Sequence, residues 1–453
     1  MATRASSSLE ASVEATLSAL RRQGHQWTAQ EFTIFRVPTY VRESNRTAYE
    51  PRLVSIGPYY HGAAGLRAME DHKWRYLHDF LARSDTVSSS LLIEEMRAME
   101  SQARACYAEK PTLDSDDFLQ MLLLDGCFIL EFFFKWHTRE PDALCDVGWG
   151  LTLVTTDLLL LENQIPFFVV ERLYHVVAGE QEGKSTEYLI NLLVEYISDN
   201  KPFTLPSANT KISHLLHLYY ECFVPKRLPE ASASDKSRAR RVPSTGRAFS
   251  QEPQERATST EESVPPPALV IPCATEMRAA GVRFSRRSKA RDMYDVKFDR
   301  RRGVMEIPGV VIDDIMKRPL LVNLIAFEQC QGTEEARVLT SYVSLMGMLI
   351  RTAQDVELLQ RRGILDNLLA NHDEAARFFS HLGEGGAMNY DQHVFFGLYE
   401  DVRRYCGSWY HRNRAVLRRD YFGNPWSAIS LFVAGLVVAL TATQTYFTVF
   451  PRN

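Results

Sequence analysis

Apolar positions recur along most of this chain with the period of a helix. Residues 69–81 (MEDHKWRYLHDFL) set Met69, Trp74, Leu77 and Leu81 near one face, and residues 8–20 predict a shorter amphipathic helix. Two denser runs, 118–134 and 151–170, are apolar almost throughout. The first carries Gln120, Asp125 and Glu131; the second carries Asp157, Glu162, Asn163, Gln164 and Pro166. A carboxylate at the middle of a bilayer costs about 2.5–3.5 kcal/mol, so both runs predict core helices of a folded body. Asp116 and Asp117 precede Phe118 and predict a helix cap, where acidic groups suit the helix dipole. Residues 187–197 and 211–223 continue the helical pattern.

After residue 268 the period shortens. Residues 282–284, 294–298 and 304–307 alternate apolar and polar side chains, with Arg302-Gly303 as a turn, which predicts a small antiparallel sheet. Helical spacing returns at 320–330, 338–359, 364–369, 374–381 and 394–406. Between the two regions, residues 229–268 hold Val242, Phe249 and Val264 as their only larger apolar side chains and close on three prolines. Such a stretch buries too little surface to offset its ordering entropy and is expected to be a disordered insertion.

The far end differs again. No residue from 421 to 451 is charged. As a helix, Trp426 to Phe450 would extend about 37 Å, enough to cross a hydrocarbon core of roughly 30 Å. Trp426, Tyr446, Phe447 and Phe450 stand where interfacial aromatic anchors belong. Arg403, Arg404, Arg412, Arg414, Arg418 and Arg419 precede the run and Arg452 follows it, which predicts a body on the cytosolic side. The expected fold is therefore mainly α: a helical cytosolic body with a small antiparallel β-sheet, plus one C-terminal transmembrane helix. Its parts are a variable N-terminal segment (1–30), a first helical part (31–228), the insertion (229–268), a second part with the sheet and further helices (269–423) and the span (424–450). Arg412, Arg414, Arg418 and Arg419 are expected to contact anionic lipid, each worth about 1 kcal/mol near such a leaflet. The sequon Asn45-Arg46-Thr47 is expected to stay unmodified on a cytosolic body.

Composition excludes extremes. With 453 residues, 45% hydrophobic and 24% charged, the chain is neither collagenous nor wholly disordered, and it is long enough to bury a core without disulfide staples. The net charge of −4 hides an uneven distribution. Residues 283–302 and 403–419 each carry +6, which leaves −16 on the rest. The seven cysteines show no C-x-x-C spacing and sit among apolar neighbours, as reduced core thiols do. Glu10, Glu14, Arg21 and Arg22 interrupt the first 30 residues, which rules out a secretory h-region there.

Candidate chemistry is sparse. Gly179-Glu180-Gln181-Glu182-Gly183-Lys184-Ser185 mimics a phosphate-binding loop, but it has three residues between the glycines instead of four, and two are carboxylates that would repel a triphosphate. His214 and His217 stand at i, i+3 with no third ligand near, which favours helix packing over a metal. Glu162-Asn163-Gln164 lies between apolar runs and is expected to form an internal hydrogen-bond network. Residues 57–62 (GPYYHG) read as a rigid turn after a strand at 54–56. The basic cluster 283–302 is interleaved with Asp292, Asp295 and Asp299, as on a solvated sheet face. No catalytic, cofactor-binding or metal-binding residue is assigned from these motifs.

Several ordered motifs carry a resemblance. They are Ile34-Phe35-Arg36-Val37-Pro38, Tyr49-Glu50-Pro51, residues 54–59 (VSIGPY), residues 72–77 (HKWRYL), residues 124–131 (LDGCFILE) and residues 157–168 (DLLLLENQIPFF). After the insertion come Ala274-Thr275-Glu276, residues 323–330 (NLIAFEQC), residues 355–359 (DVELL), residues 419–422 (RDYF) and Asn424-Pro425-Trp426. Together they resemble the plant-specific family catalogued as domain of unknown function 247, over about residues 31 to 450. The resemblance implies a land-plant protein with a C-terminal transmembrane helix, no established activity and no cofactor. It also implies a wider setting in which some grass members are proposed as male determinants of self-incompatibility. The resulting expectation is a non-enzymatic, membrane-tethered interaction or signalling protein with an unidentified protein partner and no nucleic acid, engaged in cell recognition. The plasma membrane is its expected site, with an endomembrane as the alternative. The rival is a membrane-anchored enzyme whose pocket gathers distant residues such as Glu70, Asp125, Glu162 and His214.

Overall fold

The structure is a computed structural model. It describes residues 9–15, 17–18, 32–179, 185–198, 205–207, 210–225, 270–313, 317–331, 337–383, 393–408 and 425–449. The expected insertion at 229–268, most of the N-terminal segment, the centre of the Gly179–Ser185 loop, and Arg412, Arg414, Arg418 and Arg419 lie outside the described residues. The chain forms two compact units, one of residues 1–224 with 319–330, the other of residues 225–318 with 331–453.

The first unit is helical and is built around Ser115–Thr138. That helix starts where Asp114 Oδ1 accepts the Asp117 N–H at 2.9 Å, two residues before the expected cap begins; Asp116 and Asp117 then fill its acidic first turn. Lys135 and His137 stand in the last turn, and Arg139 closes it in the left-handed region at φ 56°. Phe118, Phe128, Phe132 and Phe133 are fully buried on it. Ala68–Ala82, Ser89–Ala105, Phe167–Ala178 and Thr186–Ser198 pack around it. Gly126 lets the Phe167–Ala178 helix come close, because a Cβ there would collide with Leu173 Cδ1. Face assignment within Ala68–Ala82 differs from the expectation. Trp74 is half exposed, whereas Lys73, Tyr76 and Phe80 are buried beside Met69 and Leu77. The run 151–170 forms two helices, Gly150–Leu158 and Phe167–Ala178, joined by a buried polar turn.

The second unit mixes strands and helices. Its sheet has β1 (Arg283–Arg286), β2 (Lys297–Asp299) and β3 (Val304–Ile307) in the order β1-β3-β2. β2 runs antiparallel to β3, as the Arg302-Gly303 turn dictates, but β1 pairs with β3 in parallel, with Phe284 opposite Met305. The expected antiparallel sheet is thus a mixed one. A second pair, β4 (Val310–Ile312) and β5 (Leu365–Asn367), is parallel. β5 takes the place of the helix expected at 364–369, because Gly363 (φ 65°) ends the preceding helix and Val310 N donates to Ile364 O. The single helix expected at 338–359 is divided into Val338–Leu349 and Ala353–Arg361, with Thr352 and Asp355 forming a capping box at the break.

The membrane reading is corrected by the structure. A helix does form over Pro425–Val449, and its side chains are described over residues 432–446. Among the described residues, no helix is long and apolar enough to cross a membrane. The single span at 424–450 therefore lacks support. With it fall the membrane tether, the single-pass localisation, the cytosolic placement of the body and the anchored-enzyme alternative. The lipid contact at Arg412, Arg414, Arg418 and Arg419 and the protein partner argued from the tether lose their basis as well.

Candidate functional site

The polar residues of the 157–164 turn, which read from sequence as an internal network, hold the backbone of residues 37–57. Asp157 Oδ2 accepts the N–H groups of Leu53 at 2.7 Å and Val54 at 2.9 Å, while Arg52 N reaches Oδ1 at 3.0 Å. Asn163 Oδ1 accepts the Ile56 N–H at 2.7 Å, and its amide donates to Val54 O and Asp157 O. Gln164 donates to Leu158 O and Leu160 O and accepts the Leu216 N–H. Residues 54–56, expected as a strand, form none: the N–H groups of Val54 and Ile56 end on side chains instead of a neighbouring strand. Asn323 completes the set: its Oδ1 accepts the Leu161 N–H at 2.8 Å, and its amide donates to Ala48 O at 2.7 Å.

Glu162 is fully buried and accepts from three directions: Val37 N at 2.7 Å, Arg42 Nη2 at 2.8 Å and the Tyr60 hydroxyl at 2.8 Å. Burial, then the Glu162 charge, pushes the Tyr60 phenol well above its ordinary range, so Tyr60 stays a donor. Burial pushes the Asp157 carboxyl up to about 6, against the N–H groups of residues 52–54 that favour its charged form.

Lys73, Asp125 and Glu70 form the second constellation. The Lys73 ammonium lies 2.7 Å from Asp125 Oδ1 and 2.8 Å from Glu70 Oε1, and Asp125 Oδ2 accepts the Gly57 N–H at 2.7 Å. Burial alone would lower the Lys73 pKa; the two carboxylates more than offset it and raise the value, which keeps the ammonium charged. Gly57 has φ 79°, and a Cβ on it would collide with Gln164 O, which also accepts from the Tyr107 hydroxyl. The turn at 57–62 is thus pinned from beneath by Asp125, Glu162 and Gln164.

His214 is fully buried and uses both ring nitrogens. Nδ1 accepts the His217 N–H at 3.2 Å, capping the Leu215–Phe223 helix, and Nε2 donates to Thr33 O at 3.0 Å. Burial, then His217, lowers its pKa to about 3. His217 in turn accepts the Ser213 N–H on Nδ1. Among the described residues, no three His, Cys, Asp or Glu side chains gather as metal ligands.

Of the four residues considered for a pocket, Glu70 and Asp125 meet through Lys73, while Glu162 and His214 each engage other partners. Sequence reasoning passed over Lys73, Asp157 and Asn323. For Asp157 and Asn323 the available signal was their place in apolar runs; for Lys73 there was none. In the second unit, Arg287, Lys297, Arg300 and Arg302 each lie within ion-pair range of a carboxylate, so acids interrupt the basic cluster. The nitrogen that a glycan would join, Asn45 Nδ2, is buried, so an unmodified sequon carries no information about topology.

Comparison with known proteins agrees with this arrangement of motifs. Residues 34–440 match DUF247, a plant protein family of unknown function. The chain belongs to the DUF247 family. It is 30% identical over 423 residues to a UPF0481 protein of Arabidopsis thaliana, covering 91% of this chain and 85% of the relative. A putative UPF0481 protein of the same plant is 24% identical over 486 residues, covering 92% of this chain and 90% of the relative. No solved structure matches this DUF247 chain.

Proposed function

We propose that this DUF247 protein acts without chemistry of its own, as a recognition protein whose rigid first unit supports surface turns. The observation that carries this reading is the use made of its buried acids. Asp157, Glu162 and Asp125 are each spent on backbone N–H groups or fixed cations, and His214 has both ring nitrogens engaged. A general acid or base needs a lone pair or proton within reach of a substrate, and these groups have theirs committed to the fold. Incubating the purified chain with a plant metabolite extract, followed by mass spectrometry, tests the reading. No metabolite should change beyond a heat-inactivated control. Time- and protein-dependent consumption of any compound would refute it.

A further inference from the structure

β1 ends at Arg286, which lies in register with Ile307 at the end of β3. The chain then turns through Pro308 and Gly309 into β4. Arg286 lies across that junction. A Cβ built on Gly309 would stand 2.8 Å from Cζ, Nε and Nη2 of Arg286 at once, so the guanidinium plane rests flat on the glycine. A Cβ at Gly363 would be 3.9 Å from Arg286 Cδ. Any residue but glycine at 309 would displace the plane.

The neighbouring Arg287 is already neutralised, with Nε 2.8 Å from Asp295 Oδ2 and Nη1 2.7 Å from Glu306 Oε2. Arg286 has no hydrogen bond or ion pair from its side chain among the described residues, and neither do the exposed Arg362, next to Gly363, and Lys289. A guanidinium lying on its face keeps its edge N–H groups outward, a fork that fits a tetrahedral oxyanion through two parallel bonds.

We infer that Arg286, seated on Gly309, anchors a site for a phosphate monoester carried by a protein partner, with Arg362 supplying a second positive charge. A phosphorylated side chain carries a charge near −2, which two unpaired guanidiniums match. Nucleic acid would need an uninterrupted track of cations, and Asp295 and Asp299 break the 283–302 cluster. The site rests on the recognition reading, since it binds the monoester and leaves it intact.

The test titrates the full-length chain with O-phosphoserine at constant ionic strength, read by calorimetry and by the rise in thermal midpoint. Saturable binding is expected, with serine inert. Arg286→Gln should weaken it at least tenfold. Gly309→Ala, which keeps every charge and only blocks the seat, should weaken it several-fold. Arg302→Gln should bind as the wild type. If Arg286→Gln fails to fold, Arg286→Lys carries the test, since it keeps the charge and loses the fork. Unchanged binding in both Gly309→Ala and the Arg286 variant would overturn the site. So would an equal response to serine. Oligonucleotide binding that weakens equally in Arg286→Gln and Arg302→Gln would overturn the phosphoprotein source. Release of inorganic phosphate from O-phosphoserine would refute the recognition reading, whereas absence of binding would leave that reading standing.

Discussion

Replacing His214 by Asn should flatten the acid response of the first unit. In the folded chain His214 titrates at about 3, against 6.5 for a free imidazole, because burial and His217 oppose its charge. The unfolded chain therefore takes up the proton first. The stabilisation is complete above pH 6.5 and is lost as pH falls towards 3, at about 1.4 kcal/mol per unit, for a total of roughly 5 kcal/mol. Between pH 7 and pH 5 the loss is about 2 kcal/mol. Protonation of Nδ1 would also abolish the cap, since that nitrogen accepts the His217 N–H. Asn caps a helix well and does not titrate. It should cost about 1–3 kcal/mol at pH 7, through lost ring packing against Phe327 and the lost bond to Thr33. Urea unfolding read from the fluorescence of Trp74, Trp136 and Trp149, all in the first unit, supplies the measurement. Asp157 acts with the opposite sign: its folded value of about 6 exceeds its unfolded 3.8, so it adds stability as pH falls through 6. The readout is therefore the gap between wild type and variant, in which Asp157 cancels. That gap should narrow by about 2 kcal/mol from pH 7 to pH 5. A gap that stays constant within about 0.5 kcal/mol would refute the buried neutral imidazole.

Other perturbations probe the same network. Lys73→Met should destabilise by about 3–5 kcal/mol, because it leaves the Asp125 carboxylate buried without its cation; adding Asp125→Leu should recover much of the loss in the same urea assay. Asp157→Ala should cost about 3 kcal/mol by orphaning the donors of residues 52–54, and amide hydrogen exchange there should accelerate far more than at Phe128; equal acceleration would contradict a local lock. Gly57→Ala should cost at least about 2 kcal/mol, seen as a lower thermal midpoint, from the strained φ and the collision with Gln164 O.

How far the fold was legible depended on the range of the forces at work. The Ser115–Thr138 helix could be read because its causes are local: acidic groups at its start, a largely apolar run and basic groups in its last turn. The polar character of 162–164 announced a network for the same reason, since such groups cannot stay unpaired among leucines. What those groups hold could not be read. Residues 54–56 look like a strand, yet their partners are side chains about a hundred residues away.

Sequence by itself determined the family, the helical class, the turn at Arg302-Gly303 and a helix in the charge-free C-terminal run. Each rests on local spacing or ordered motifs. Only the tertiary structure decided that β1 lies parallel to β3, that β5 is a strand, and that Lys73 is buried while Trp74 faces outward. Strand pairing depends on segments distant in sequence, so periodicity carries no record of the partner. Burial of Lys73 depends on Asp125 across a helix pair, an ion pair that hydrophobic ranking places on the wrong face. The same division governs function. Motifs marked Glu162 and His214 as residues with a role, and their bonding partners, supplied by the fold, assigned that role to holding the chain in place.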